Sequence, residues 1–145
     1  MAWISLATAL IAVHVLANVV WIGALLAVAL LISQADSALD PADVARLAGR
    51  VHARLAVPAF LASFGAGAVN IALSPLLYAH APWFHAKLTF AFGVIVLHHV
   101  IGARAKRVAA GRVTSAQGVG VLGIVTLVCA AGAVLLGVAK ALPGR

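Results

Sequence analysis

Acidic side chains are almost missing from this 145-residue sequence. Asp and Glu together number three, and all of them (Asp36, Asp40, Asp43) fall between the first two apolar runs. Without a carboxylate inside an apolar run, the chain has neither the usual Asp/Glu proton relay of a transporter nor the carboxylate pair of a glycoside hydrolase. Cysteine occurs once, as Cys129, which excludes a disulfide framework and a cysteine-based zinc site. The one methionine is Met1, so Met cannot ligate a haem inside the chain, and Cu(I) lacks the several soft ligands it needs. Charged residues make up 9% of the sequence, against roughly a quarter in soluble domains.

Apolar residues account for 65%. Four runs, Trp3 to Ile32, Leu55 to Leu77, Phe84 to Ala103 and Gly118 to Leu142, each approach the roughly 20 residues a helix needs to cross about 30 Å of hydrocarbon. They do not alternate in polarity as barrel strands do. The expected fold is therefore all-α: residues 1–145 as a single integral membrane four-helix bundle. Met1 to Leu31 lacks a basic leader and is uniformly apolar, so it reads as an uncleaved first span.

The formal charge of +7 does not point to nucleic acid. Arg46, Arg50 and Arg54 precede the second run, and Arg104, Lys106, Arg107 and Arg112 separate the third from the fourth. By the positive-inside rule these two loops lie in the cytoplasm and both termini outside.

Between the first two runs, Asp40, Pro41 and Asp43 form a helix start. Val44, Leu47, Val51 and Leu55 then recur at helical spacing, with Arg46, Arg50 and Arg54 on another face. This predicts an amphipathic interfacial helix running into span two, with arginines and His52 at the surface. Pro58 predicts a kink. Glycines in runs two and four (Gly65, Gly67, Gly118, Gly120, Gly123, Gly132, Gly137) give small faces, suited to close helix packing or to a flat cofactor.

Polar residues at membrane depth are the functional candidates: His14 and Asn18 in span one, Asn70 in span two, and His85, Lys87, His98 and His99 in span three. At about 100° per residue, His14, Asn18 and Trp21 share a face, and Lys87 and His98 return to within about 20° of each other. His14 lies about 16 Å from the outer boundary, His98 about 21 Å and Lys87 about 5 Å. Two deep histidines on neighbouring helices suit the axial positions of a haem iron, and each also suits a purely structural hydrogen bond. Trp83, His85 and Lys87 equally form an interfacial aromatic-basic belt.

These residues resemble the HemJ-type protoporphyrinogen IX oxidases and the related CopD-like copper-resistance membrane proteins. "HVLANVVWIGALL" (His14, Trp21) looks like the family's His followed seven residues later by Trp. "VPAF" is similar to its Asn-Pro-Ala at Pro58, and "WFHAKL" resembles its Trp-Leu-His-x-Lys-Leu at Trp83, His85, Lys87 and Leu88. His98 follows that Lys by eleven residues, as in the family. Leu30 and Ala35 stand where the pattern has Arg and His, and its Asn-Glu-x-Pro is missing around Ser115 to Gly118.

The resemblance implies a haem b protein that oxidises protoporphyrinogen IX and passes electrons towards quinone. His14 and His98 would then be metal ligands, Asn18 and Trp21 would line the cofactor, Lys87 would hold a porphyrin or haem carboxylate, and Lys87 and His98 would be the catalytic pair. The CopD-like side implies copper handling instead. A non-catalytic subunit, in a homo-oligomer or a larger membrane complex, is the third reading.

Overall fold

The computed structural model describes residues 5–35, 40–112 and 118–141. Trp3, Asp36, Ser115 and Leu142 lie outside them. The order is α1 (Leu6–Gln34), α2 (Pro41–Val51), a π-helical turn (His52–Ala56), α3 (Val57–Leu73), α4 (Pro75–Ala79), α5 (Pro82–Ala109) and α6 (Val119–Ala141), with no strand among the described residues. Four helical stretches are long and apolar enough to cross a membrane: Leu6–Gln34, Pro41–Leu73, Pro82–Ala109 and Val119–Ala139. The chain is an all-α, multi-pass membrane protein.

Local chemistry sets the helix ends. Ser5 Oγ accepts from the Thr8 N–H at 3.2 Å, and Asp40 Oδ1 accepts from the Asp43 N–H at 2.9 Å. Pro82 opens α5, where its missing N–H would have had no helical partner. At the far end of α5 the Gly111 N–H donates to the Val108 carbonyl and the Arg112 N–H to the Arg107 carbonyl, both at 2.9 Å, with Gly111 at φ 66. This Schellman closure needs the left-handed conformation that glycine adopts without strain.

Two boundaries differ from the sequence expectation. Span two stops at Leu73 rather than Leu77, because Ser74 (φ −147, ψ 59) leaves the helix and Pro75 starts the short α4; a residue before proline is pushed out of the α region. At Pro58 the distortion is a turn of π-helix just upstream, with the Val57 N–H donating to the His52 carbonyl. The widened turn absorbs the donor that proline lacks.

α1 packs against α3 on one side and α6 on the other, α6 packs on α5, and α2 with the π turn reaches from α1 to α5. Buried positions on the second helical stretch are Ala45, Ala48, His52, Ala56, Ala59, Ser63 and Ala66, a stripe at three- and four-residue spacing. Of the aliphatic face expected on this interfacial helix, Leu47 and Leu55 are 44% and 50% exposed, while Val44 and Val51 are half-buried. Lipid tails are as apolar as leucine, so small residues that allow close backbone approach go inside and large aliphatics face out. His52, expected at the surface, is 6% exposed because it belongs to that small-residue stripe.

Burial is confined to one half of the bundle. α1 before Trp21, α3 after Ala66, α5 before Val94 and α6 after Thr126 contain no buried residue among those described. The end carrying the arginines is closed, and the end carrying Tyr78 and Trp83 is open.

Candidate functional site

In the open half, His14 is the best-defined polar side chain. Its Nδ1 lies 2.8 Å from the Ser63 carbonyl oxygen on α3, and its Nε2 lies 3.0 Å from Asn18 Nδ2. A carbonyl can only accept and an amide NH2 can only donate, so His14 carries its proton on Nδ1 and presents a lone pair at Nε2. The Asn18 amide also donates to the His14 carbonyl at 2.9 Å, which holds it over that lone pair. A Cβ built at Gly67 would sit 3.1 Å from the His14 ring. The glycine thus leaves the notch that lets the imidazole lie against α3.

His98 sits in the closed half and meets different partners. The Trp21 Nε1–H donates to His98 Nδ1 at 3.1 Å. The His98 ring is stacked between His52 (centroids 4.9 Å, 27°) and Phe60 (5.0 Å, 28°), with Trp21 edge-on at 5.9 Å. His52 hydrogen-bonds the backbone of His98, while its Nε2 is buried with no partner. A Cβ at Gly102 would lie 2.3 Å from that nitrogen, so the ring fills the place of a side chain.

The structure therefore gathers Trp21 with His98, and His14 with Asn18. It gives the two candidate axial histidines separate surroundings, since Trp21, rather than His14, is the α1 residue that meets His98. Lys87 turns towards α6: its Nζ lies 3.9 Å from where a Gly137 Cβ would be. His85 and His99 are exposed, and Asn70 donates to the Tyr78 hydroxyl at 3.0 Å. Phe60, Ser63 and Gly102 were missed by the sequence reading, His52 was placed at the surface, and Gly67 entered only among the small-face glycines.

A metal-ligating histidine normally donates its other ring N–H to a carbonyl or carboxylate, which fixes the tautomer. His14 has the donor half of this arrangement, its Nδ1–H on the Ser63 carbonyl, and its Nε2 accepts from Asn18. That fits one axial haem ligand. Among the described residues no group of three or more His, Cys, Asp or Glu side chains is arranged to hold a metal ion. No family model matches the chain, and no curated protein or solved structure matches it.

Proposed function

We propose that this chain is a haem b-binding redox protein of a bacterial inner membrane, of the HemJ-like type its motifs resemble, acting on protoporphyrinogen IX. The observation that carries the reading is His14: an imidazole fixed by the Ser63 carbonyl, in the tautomer that leaves the Nε2 lone pair as acceptor. Haem b, when bound, supplies reversible one-electron transfer to and from quinone. His14 would hold the haem at Nε2, the nitrogen that accepts from Asn18. Lys87, near the open end, supplies the positive charge for a carboxylate. His98 has its Nδ1 taken by Trp21, so a neutral ring holds its proton at Nε2, the atom left for proton transfer. Seven basic residues at the closed end support a cytoplasmic location for that end and external termini.

The test is an absorption spectrum of detergent-purified protein made with ample haem supply. The wild type and His85→Ala should show a Soret band, and His14→Ala should lose most of it. No band in the wild type overturns the reading. Equal bands in both variants make His14 structural. Complementation of a strain lacking protoporphyrinogen oxidase then tests the reaction itself.

A further inference from the structure

α2 and the π-helical turn that follows it present three faces. Ala45 and Ala48 are buried, Leu47 and Leu55 point outward on a second face, and Arg46, Arg50 and Arg54 follow one another at four-residue spacing on a third. The arginine face is concave: Arg46, Gly49, Arg50, Ala53, Arg54 and Ala109 of α5 line a shallow depression of about 440 Å³. Its floor is made of small residues, and a Cβ at Gly49 would meet Ala109 only at 3.8 Å. Arg46 bonds Asp43. Arg50 also acts electrostatically on Asp43, but neither Arg50 nor Arg54 is in ion-pair contact with an acidic side chain among the described residues.

Guanidinium forks match the oxygens of phosphate in paired hydrogen bonds. Because small residues line the open depression beside Arg50 and Arg54, whose forks are not in ion-pair contact, we infer that this depression is a binding site for a phosphate group, filled by the headgroup of an anionic lipid. A lipid rather than a free phosphate fits because the exposed Leu47 and Leu55 run beside the arginines, placing apolar surface where acyl chains would descend. This inference is independent of the haem reading.

Native mass spectrometry of the full chain, offered phosphatidylglycerol or phosphatidylcholine in mixed micelles, tests it. Wild type should retain phosphatidylglycerol in preference. The double variant Arg50→Gln/Arg54→Gln should lose roughly tenfold in that retention, while Arg104→Gln/Arg107→Gln, which removes equal charge at the same end, should not. Arg50→Lys keeps the charge without the fork and should lose severalfold, with helicity checked by circular dichroism. Equal loss in the two double variants would mean diffuse charge and overturns the site, as does unchanged retention in Arg50→Lys and the Arg50/Arg54 pair. Millimolar inorganic phosphate distinguishes the sources: undiminished retention supports the headgroup, and displacement overturns the lipid assignment.

Discussion

The two halves of the bundle use the same kinds of residue to opposite ends. In the closed half, His98 is sealed by Trp21, His52 and Phe60, and Gly102 gives up its side-chain volume to the His52 ring. In the open half, His14 is only half-buried, and Gly67 gives its volume to the His14 ring. One glycine–histidine pair is part of a packed core, and the other makes a notch beside an open space. Histidine and glycine in an apolar run thus do not announce their role. What differs is whether a third helix closes over them. α3 and α5, which come together through the Phe60 and His98 rings, are otherwise the least closely packed neighbours around the bundle.

The comparison breaks most decisively at Gly102. A methyl group there would collide with a buried ring pinned by stacking and a backbone hydrogen bond. Gly102→Ala should cost about 3 kcal/mol in denaturant or thermal unfolding, while Gly65→Ala, which meets nothing within 4 Å, should change little. The double-mutant cycle with His52→Ala should recover most of that cost. An additive pair would show that the contact does not limit packing.

On the open side, Lys87→Gln should leave the fold intact and weaken haem or porphyrin binding about tenfold, the worth of one charge-assisted contact. A titration that gives wild-type affinity would return Lys87 to the interfacial belt with Trp83.

Returning to the closed half, Trp21→Phe keeps the aromatic volume but strips the donor from His98 Nδ1. Expected destabilisation is about 1 kcal/mol, modest because polar groups unfolded within a membrane find other partners.

The smallest effect belongs to Asn18→Ala, at roughly 0.5 kcal/mol of stability. Haem loading should be undiminished, since the substitution removes a competitor for His14 Nε2. Loss of the Soret band in this variant would make Asn18 part of the binding set rather than its placeholder.

How legible was this in the amino acids? The four spans were, because nothing but a helix satisfies backbone groups within lipid over such lengths. The grouping of His14, Asn18 and Trp21 on one face follows from helical geometry, and the contacts keep His14 and Asn18 together. His52 was placed at the surface because what turns it inward is the packing of the small-residue stripe against other helices, which no single segment shows. Ser63 and Gly67 carried no sequence signal as partners of His14, since one contributes a backbone carbonyl and the other an absence.

The sequence by itself determined the four spans, the helix start at Asp40 and the gathering of most arginines at one end. Those depend on local backbone chemistry and on the cost of charge in hydrocarbon, both of which act within a single segment. Only the tertiary structure decided that Trp21 serves His98 while His14 turns to α3, that His52 is inside, and that one half closes while the other stays open. These outcomes depend on which small-residue faces meet across helices. In lipid, where hydrophobicity does not distinguish inside from outside, that choice is made by packing between segments distant in the chain.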